Sequence, residues 1–483
     1  MIYPSFEEFN KLAGKGRHIP VCKIMPFKDD FFELASMAGV DNSGVLFESL
    51  KGSPRISRYS IFAVNPFLTI ESKNGVVKLT QGENCREFKG NPIDEIRKVL
   101  AKNKTLPLPK APSFCGGALG YFSYDAGRWF EKIPNGVRDD ARTPDCQFHF
   151  FDVVFVLDHF DKTLFVTTTA PIEGNLKLDY LEAVKKIEEP LAKIEKKRIQ
   201  KSNIRVGKAC ANLSQQQFEE IVNQTREYIF AGDIFQANLS LRLDTPFVGN
   251  SFELYKILRR INPSPFAAYL NFKDLSIVSS SPERLVKVEG DIVETRPIAG
   301  TRRRGVDFLE DERLSVDLML NQKERAEHIM LVDLERNDLG RICDYGSVCV
   351  NELMVIEQYS HVIHIVSNVQ GRILPDKDLL DVVRACFPGG TITGCPKIRA
   401  MEIIDELEPT RRGIYTGSIG YLSFSGCMDL NIAIRTIIIK DDIAYAQAGA
   451  GIVADSEPKK EYFESLQKAE AMLKALEEYG RLN

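Results

Sequence analysis

The sequence contains few of the residues that often reveal the class of a protein at once. Its 483 residues include one Trp, six His and ten Cys, and the cysteines form no Cys-x-x-Cys pair. The N-terminal run lacks the basic-then-apolar layout of a secretion signal; it reads MIYPSFEEFNKLAGKG. Scattered thiols in such a chain are typical of a reducing compartment, which argues against a disulfide framework or a zinc site. We therefore expect a cytoplasmic protein.

Long apolar runs and a strong net charge are also absent. One of the longest apolar stretches, FDVVFVLDHF at 151–160, is too short and too interrupted to span a bilayer. Lys and Arg number 63 against 67 Asp and Glu, which gives a net charge of −4. This balance gives no electrostatic reason to expect nucleic acid or a membrane as a partner. The length suffices for two or three average domains or one large one.

The order of strand and helix signals predicts the fold class. Strand-like stretches broken by Gly and Pro fill residues 1–190, and the charged run 195–208 is the best linker candidate. Beyond it, strand pairs turn at 290–291 and at 441–442. There is no βαβ rhythm and no internal repeat, so we predict an α+β fold with large, mostly antiparallel sheets.

Helix signals are strongest in the C-terminal part. Ser214 and Gln217 have the spacing of a capping box, which predicts a helix start. Further helices are predicted over 309–335, 377–386, 396–407 and 457–480.

The last of these helices carries an unusual set of charges. Glu461, Glu464 and Lys468 follow an i, i+3, i+7 spacing that places them on one face. Asp455 or Ser456 can serve as the N-cap. Two carboxylates and an ammonium group could hold a magnesium ion beside a carboxylate substrate. They could equally form a solvated face, which is the commoner fate of such charges.

Two glycine-rich runs allow the backbone to approach something closely. FPGGTITGCPK opens a helix whose N–H groups favour an anion, or it is a tight structural turn. It is not a Walker loop, because Cys-Pro follows Gly394. In QAGAGIVADSEP, Gly449 and Gly451 permit contact with a ligand or with another segment.

Isolated polar residues in apolar surroundings are further candidates. Arg435 lies in the strand-like run NIAIRTIII and needs an anionic partner if it faces inward. His361 and His364 form a local pair in HVIHIVSNV, although a buried His is more often a hydrogen-bonded core residue than a catalyst. Glu327 and its neighbours in NQKERAEHIM read, taken alone, as a surface helix.

Seven long stretches, taken together and in order, resemble the large subunits of the chorismate-utilising enzymes anthranilate synthase and aminodeoxychorismate synthase. They are GDIFQANLS (232–240), SSSPERLVKVEG (279–290), ETRPIAGTRRRG (294–305), AEHIMLVDLERNDLGRIC (326–343), YSHVIHIVS (359–367), PGGTITGCPKIRAMEIIDELEP (388–409) and AGAGIVADSEPKKEYFE (448–464). The resemblance implies two packed antiparallel sheets with outer helices and an active site between them. It also implies an N-terminal region at 1–195 and a chorismate-binding catalytic domain at 205–483.

The resemblance implies roles in metal binding and acid catalysis. Glu327 and Glu464 match magnesium ligands, with Glu461 close by, and Mg²⁺ usually takes one or two protein carboxylates. Glu283 matches a general acid that protonates the departing ring hydroxyl, for which its pKa must be raised. His364 matches a histidine near the ring, associated in the anthranilate branch with loss of pyruvate.

Substrate binding is implied for a further set of residues whose side chains or backbone N–H groups match positions that hold the substrate. They are Arg435, Lys468, Thr391, Gly449, Ala450 and Gly451.

The same resemblance predicts the nucleophile. Relatives that add water carry a lysine base where this chain has Gln236, so ammonia is the expected nucleophile. No glutamine-hydrolysing cysteine motif occurs in the sequence. The expected partners are therefore chorismate and a separate glutamine amidotransferase subunit that supplies ammonia.

The product is harder to predict. Many aminodeoxychorismate synthases have a lysine that attacks the ring where this chain has Ala299, as anthranilate synthases do. Anthranilate synthases tend to carry an aromatic residue or Met where Ala267 and Ala268 lie. We favour 4-amino-4-deoxychorismate, a precursor of 4-aminobenzoate and folate, with anthranilate and tryptophan biosynthesis as the alternative.

Two questions stay open at this point. VLFES, with Glu48 and Ser49, and the region around Pro265 resemble an element that binds feedback tryptophan in the anthranilate branch. Here the element could be regulatory or could only pack. A catalytically dead homologue that acts as a scaffold for the amidotransferase is a second function class, and the presence of Glu283, Glu327 and Glu464 argues against it.

Overall fold

The structure is a computed structural model that describes residues 1–52, 56–194, 203–358 and 362–482. Its strands are β1 Ile2–Tyr3, β2 His18–Pro26, β3 Gly44–Glu48, β4 Tyr59–Val64, β5 Leu68–Lys73, β6 Val76–Gln81, β7 Asn84–Lys89, β8 Gly117–Phe122, β9 Cys146–Phe151, β10 Val153–Asp158, β11 Thr163–Pro171, β12 Arg205–Val206, β13 Cys210–Ala211, β14 Gln236–Val248, β15 Phe266–Asn271, β16 Leu275–Ser281, β17 Arg284–Glu289, β18 Ile292–Thr295, β19 Ile298–Arg303, β20 Cys349–Gln358, β21 Val362–Arg372, β22 Gly394–Cys395, β23 Ser418–Ser423, β24 Met428–Asn431, β25 Thr436–Lys440 and β26 Ile443–Ile452.

Its helices are α1 Phe6–Leu12, α2 Phe31–Ala38, α3 Val40–Ser43, α4 Pro92–Lys102, α5 Leu176–Ala192, α6 Gln215–Ala231, α7 Ser251–Ile261, α8 Phe308–Leu320, α9 Gln322–Gly340, α10 Leu379–Cys386, α11 Lys397–Leu407 and α12 Pro458–Gly480. No helix in these described ranges is both long enough and apolar enough to cross a membrane.

The strands form two large antiparallel sheets, which confirms the predicted α+β class. The first sheet has the order β1-β2-β11-β10-β4-β3-β15-β16-β25-β26-β14-β12, and β13 and β22 also pair with β14. The second has the order β19-β21-β18-β17-β24-β23-β8-β9-β5-β6-β7, with β20 on β21. Strands from both sides of the predicted boundary near residue 200 pair directly, since β3 pairs with β15 and β8 pairs with β23.

Apolar residues pack the two sheets against each other and against the helices. Val45 of β3 and Ile277 of β16 share one buried cluster with Leu119 of β8, so this cluster lies between the sheets. A second cluster contains residues of α6, α7 and α12, such as the fully buried Met472, on the first sheet. A third contains residues of α4, α9 and α10, such as Ile96, on the second. The helices therefore lie outside the sheets, as predicted.

Most predicted helices begin and end within a few residues of the observed ones, and one is divided. The predicted helix 309–335 is α8 and α9, which are separated at Asn321. Asn321 has extended backbone angles, and its side chain accepts a hydrogen bond from the N–H of Glu324. The capping box of Ser214 and Gln217 is present at the start of α6. In the predicted linker 195–208, residues 205–206 form β12, and 195–202 lie outside the described residues.

The predicted N-cap of α12 is wrong. The helix follows Glu457, whose side chain makes no capping bond. The Ser456 hydroxyl instead accepts a hydrogen bond from the N–H of Val453, and Asp455 pairs with Lys323 at 3.0 Å. The side chains that could have capped the helix therefore fix the bend that precedes it.

Candidate active site

A cavity of about 550 Å³ has walls from both sheets and from α9 and α12. β14 and β26 of the first sheet face β19 and β21 of the second across it. Its lining includes these predicted site residues: Gln236, Glu283, Ala299, Glu327, His364, Thr391, Arg435, Gly449, Gly451, Glu461, Glu464 and Lys468. Ala450 does not line the cavity, because its side chain is fully buried in the core on the opposite face of β26. His361 lies outside the described residues.

Glu283 lies in the short connection between β16, a strand of the first sheet, and β17, a strand of the second sheet. Its carboxylate is buried and accepts a hydrogen bond of 2.7 Å from the Thr391 hydroxyl. Burial raises the pKa of Glu283 to about 7, although the Thr391 bond and the nearby Lys468 ammonium oppose the rise. A carboxyl group with this pKa carries a proton at neutral pH in an appreciable fraction of molecules. It can therefore act as an acid toward a group in the cavity.

Two cations lie beside the C-terminal end of β26. Arg435 follows β24 with a left-handed φ of +53°, and its guanidinium donates to the backbone carbonyl of Lys468. Burial lowers the pKa of Arg435, while Tyr415 and Glu464 oppose that effect. The Lys468 ammonium donates to the Gly449 carbonyl at 3.1 Å and pairs with Glu464 at 2.7 Å. A guanidinium and an ammonium on one cavity wall can bind carboxylates.

The two glycines near the end of β26, Gly449 and Gly451, permit close approach of protein segments. A Cβ at Gly449 would lie 2.2 Å from the carbonyl oxygen of Leu239 on β14. A Cβ at Gly451 would lie 2.5 Å from the side-chain nitrogen of Gln236. The sequence allowed two interpretations of this run, contact with a ligand or contact with another segment. The structure shows the contact with another segment. Any side chain at these positions would displace β14 or the Gln236 amide from the cavity wall.

Three carboxylates cluster at the edge of the cavity. Burial raises the pKa of Glu327, and Glu461 adds to the rise while Lys323, 4.0 Å away, opposes it. Burial also raises the pKa of Glu461, and the neighbouring Glu464 adds to it. Burial is the larger cause of both shifts, and the neighbouring carboxylates add to it.

The donor set suits magnesium. Within the ranges that the structure describes, no group of three or more His, Cys, Asp or Glu side chains is arranged to hold a metal ion. Mg²⁺ usually takes only one or two protein carboxylates and fills its other positions with water and substrate oxygens. Glu327, Glu461 and Glu464 offer only oxygen donors, so these residues fit such an ion.

His364 of β21 and Ala299 of β19 line the wall of the cavity that the second sheet forms. The Nδ1 of His364 is 3.0 Å from the carbonyl oxygen of Gly300, to which it donates, and 3.2 Å from the Thr301 hydroxyl. Burial lowers the pKa of His364, so the ring is neutral at physiological pH. Ala299 presents only a methyl group to the cavity, so this position offers no nucleophile.

Gln236 leaves an unsatisfied acceptor at the cavity. Its side-chain oxygen is buried and has no hydrogen-bond partner among the described residues. Sequence reasoning missed several other polar lining residues: Asn238, Lys323, Tyr415 and Gln447. A signal existed for Gln447, which is a polar residue in the otherwise apolar strand β26. Nothing in the sequence distinguishes Lys323 from a surface lysine.

The predicted regulatory residues line a different cavity. This second cavity, of about 330 Å³, is lined by Glu48, Ser49 and Pro265, among others. Both oxygens of Glu48 are occupied, since Arg259 donates to them at 2.8 and 2.9 Å and the Tyr255 hydroxyl at 2.7 Å. The Ser49 hydroxyl is 2.9 Å from the Tyr59 carbonyl oxygen. The element therefore packs through its own hydrogen bonds, and its regulatory role stays a prediction.

The sequence profile of chorismate binding enzymes matches residues 46–474, which is most of the chain and includes every cavity residue named above. The chain belongs to the chorismate binding enzyme family. Two of its relatives carry different names. Anthranilate synthase component 1 of Acetivibrio thermocellus is 45% identical over 100% of both chains. Aminodeoxychorismate synthase component 1 of Bacillus subtilis is 44% identical over 95% of this chain and 97% of its own.

A solved structure of the family is similar as well. Anthranilate synthase component I of Streptococcus pneumoniae superposes with a TM-score of 0.75 at 38% identity. The match covers 86% of this chain and 92% of that one. The fold and the family are thus established by sequence and by structure, and nearly equal identities to two differently named enzymes leave the product to be argued from residues.

Proposed function

We propose that this protein is the chorismate-aminating component of an aminodeoxychorismate synthase. The observation that carries the proposal is the arrangement of Glu283 in the 550 Å³ cavity. A buried acid with a pKa of about 7 lines the same cavity as two cations, Arg435 and Lys468, and a carboxylate cluster. An acid, an anion-binding wall and a metal-binding edge are what displacement of a hydroxyl from a dicarboxylate requires.

The reaction replaces the ring hydroxyl of chorismate with an amino group. Arg435 and Lys468 bind and orient the substrate carboxylates. Glu283 gives its proton to the hydroxyl as the carbon–oxygen bond breaks, so the leaving group departs as water. Ammonia forms the new carbon–nitrogen bond and loses one proton, which returns to the Glu283 carboxylate and restores the acid, and the products are 4-amino-4-deoxychorismate and water. Glu327 and Glu464, with Glu461 close by, would hold a magnesium ion that supplies positive charge beside the ring carboxylate.

Ammonia suits the polar groups at the cavity. Gln236 offers an amide in place of a general base, and neutral ammonia needs no base before it attacks. Rotation of the Gln236 amide would allow its unsatisfied, buried oxygen to accept a hydrogen bond from ammonia. Because the sequence has no glutamine-hydrolysing cysteine motif, we propose that a separate glutamine amidotransferase subunit supplies the ammonia. The component 1 names of both relatives support a two-component enzyme.

The choice of product is supported by the small residues at the second cavity. Ala267 and Ala268 line it, where anthranilate synthases tend to carry larger side chains. The alternative product, anthranilate, is favoured by Ala299, which lacks the lysine of many aminodeoxychorismate synthases. With Ala299, ammonia adds directly and no covalent enzyme adduct forms.

Product analysis tests the proposal. The purified chain is incubated with chorismate, Mg²⁺ and an ammonium salt at alkaline pH, and the products are separated by chromatography. The proposal expects a non-fluorescent amino product that an added lyase converts to 4-aminobenzoate. Fluorescent anthranilate with release of pyruvate would instead identify the alternative. No consumption of chorismate would favour the third class, a scaffold without activity.

A further inference from the structure

One hydrogen-bond acceptor of the substrate cavity is held by a chain of buried polar contacts. Gln447 of β26 lines the cavity and is 5% exposed. It lies on the same face of β26 as Gly449 and Gly451, because side chains two residues apart along a strand share a face. The Gln447 amide nitrogen donates to the Ser240 hydroxyl of β14 at 2.8 Å, and that hydroxyl bonds to Glu408 at 2.7 Å.

The contacts of Glu408 determine the direction of every proton in this chain. Glu408 accepts two bonds from the Arg412 guanidinium, at 2.7 and 2.9 Å, and one from the Ser240 N–H at 2.9 Å. A carboxylate paired in this way only accepts, so the Ser240 hydroxyl donates its single proton to Glu408. The hydroxyl oxygen is then an acceptor toward Gln447, and only the nitrogen of the Gln447 amide can donate to it. The network therefore fixes the orientation of the Gln447 amide.

The Gln447 oxygen is consequently turned away from Ser240. The bond to Ser240 is the one side-chain hydrogen bond that Gln447 makes within the part of the chain that the structure describes. Arg242 lies directly opposite Gln447 in the strand pairing, but its guanidinium is already bonded to Asp140 and Asp244 at 2.7 to 2.9 Å. An acceptor that lines the cavity and has no protein donor can bind a ligand.

The amides of Gln447 and Gln236 lean toward each other along the strand pair. Ser240, which holds the Gln447 amide, pairs with Gly449. The Gln236 amide lies over Gly451, since a Cβ there would lie 2.5 Å from its nitrogen. Gly449 and Gly451 are two residues apart, which is about 7 Å along a strand. The two amides therefore border a stretch of the cavity that has room for one ring carbon with its leaving oxygen and an incoming nitrogen.

Chorismate offers a single hydrogen-bond donor to such a group. Its two carboxylates and its ether oxygen only accept, and they suit the cations Arg435 and Lys468 on the cavity wall. Its ring hydroxyl is the one group that can donate. Glu283 must deliver its proton to a lone pair of the hydroxyl oxygen, so the hydrogen of that hydroxyl has to point elsewhere. A fixed acceptor on another side of the hydroxyl meets this requirement.

We propose that Gln447 orients the substrate: its amide oxygen accepts the hydrogen bond of the chorismate ring hydroxyl and thereby turns a lone pair of that hydroxyl toward Glu283. The inference rests on the proposed function, in which this hydroxyl is the leaving group. It gives the two glutamines different tasks, because Gln447 binds the leaving oxygen and Gln236 the incoming ammonia. Ser240 and Glu408 are positioning residues that act through Gln447. Since anthranilate retains no ring hydroxyl either, the inference holds for both possible products.

Asn238 is a weaker candidate for this contact. It also lines the cavity, but its amide is engaged within the protein. The amide nitrogen is 3.4 Å from the Ile392 carbonyl oxygen, to which it donates, and the side chain also bonds to Tyr415. Asn238 therefore presents no acceptor comparable to the Gln447 oxygen.

The test measures recognition of the hydroxyl separately from turnover. Two unreactive benzoate analogues of chorismate are titrated into the protein with Mg²⁺ by calorimetry; both keep the two carboxylates, and one lacks the ring hydroxyl. Gln447→Met removes the amide at nearly the same side-chain length, and Ser240→Ala leaves the amide but releases its orientation. Gln370→Met is the matched control, because Gln370 of β21 bonds to Asn351 at 3.1 Å and does not line the cavity.

The wild type and Gln370→Met should bind the hydroxylated analogue about three- to tenfold more tightly than the other, as expected for one hydrogen bond. Gln447→Met should bind both analogues equally, with the affinity for the analogue without a hydroxyl unchanged. Ser240→Ala should show a reduced preference, since its amide can turn either end toward the ligand. With chorismate and ammonium, Gln447→Met should lose about tenfold or more in kcat, because the leaving group is no longer aligned with the acid.

Other outcomes separate this inference from the proposed function. Equal binding of the two analogues by the wild type would overturn the inference, as would a preference that Gln447→Met retains; amination of chorismate would still support the proposed function. If Gln447→Met binds neither analogue, Ser240→Ala decides, and an undiminished preference there overturns the inference. A wild type that prefers the hydroxylated analogue but does not aminate chorismate refutes the proposed function alone. A wild type that binds neither analogue refutes both.

Discussion

Replacement of Thr391 with Val should raise the pH at which Glu283 loses its proton and the enzyme loses activity. Thr391 donates a 2.7 Å hydrogen bond to the Glu283 carboxylate, and this bond opposes the rise of the Glu283 pKa to about 7. Val has nearly the same shape as Thr but cannot donate. A hydrogen bond to a charged group contributes about 1.5–3 kcal/mol, and 1.36 kcal/mol corresponds to one pKa unit. Thr391→Val should therefore raise the Glu283 pKa by about one to two units.

The direction in which the pH profile changes follows from which protonation state of Glu283 is active. The acid must be protonated, so kcat/KM falls as pH rises through its pKa in the free enzyme. In the wild type the fall should be centred near pH 7, in keeping with the pKa of about 7. In Thr391→Val it should be centred about one to two pH units higher. The assay holds the concentration of neutral ammonia constant at each pH, because otherwise the titration of ammonium would shape the profile.

Two variants serve as controls. Thr393→Val changes a buried threonine of the same turn whose hydroxyl bonds to the Gly389 carbonyl at 2.8 Å rather than to Glu283, so its profile should match that of the wild type. Glu283→Gln should lower kcat by about 10²- to 10⁴-fold and remove the fall with pH. A Thr391→Val profile centred at or below the wild-type pH would refute the role given to this hydrogen bond.

Three further predictions concern the metal edge, the buried charges and the core. Glu464→Ala should abolish turnover and weaken Mg²⁺ binding measured by calorimetry, whereas unchanged binding would contradict the metal assignment. Arg412→Lys should destabilise the fold by about 3 kcal/mol in urea unfolding, because the buried Glu408 would lose its two-bond pair with the guanidinium and keep only the two bonds from Ser240. Met472→Ala should cost about 2–5 kcal/mol in the same measurement, since its side chain is fully buried on the inner face of α12; a cost below about 1 kcal/mol would contradict the packing described for α12.

The fold class could be predicted because its signals are local. The capping box at Ser214 and the hairpin turns at 290–291 and 441–442 each depend on a few adjacent residues. The division at Asn321 could not be predicted, because the sequence around it continues a helical pattern and only its side-chain cap on Glu324 ends one helix and begins the next.

The site was harder to predict from local sequence patterns than the fold class. Taken alone, Glu461, Glu464 and Lys468 favoured a solvated face, because a helix pattern does not show what lies opposite. In the structure, Glu327 on α9 and Arg435 after β24 line the same cavity as these residues. Only the family resemblance, which rests on several stretches far apart in the sequence, predicted that these residues belong to one site. The ion pair of Glu48 with Arg259 joins residues 211 positions apart, and no local pattern indicates it.

The position of Thr391 depends on a buried residue that does not line the cavity. All five N–H groups of the Arg412 guanidinium are used. Two bonds go to Glu408 at 2.7 and 2.9 Å, one to the Ile392 carbonyl at 2.9 Å, one to the Thr416 hydroxyl at 3.3 Å, and one to the Asn238 carbonyl.

These five hydrogen bonds of Arg412 also affect Glu283. Ile392 directly follows Thr391, so Arg412 fixes the turn that presents the Thr391 hydroxyl to Glu283. Through Asn238, the same guanidinium fixes β14 two residues from Gln236. One buried cation thus sets the distance between the acid and the residue expected to receive ammonia. A lysine has three donors and no planar fork, so it could replace at most three of these five bonds.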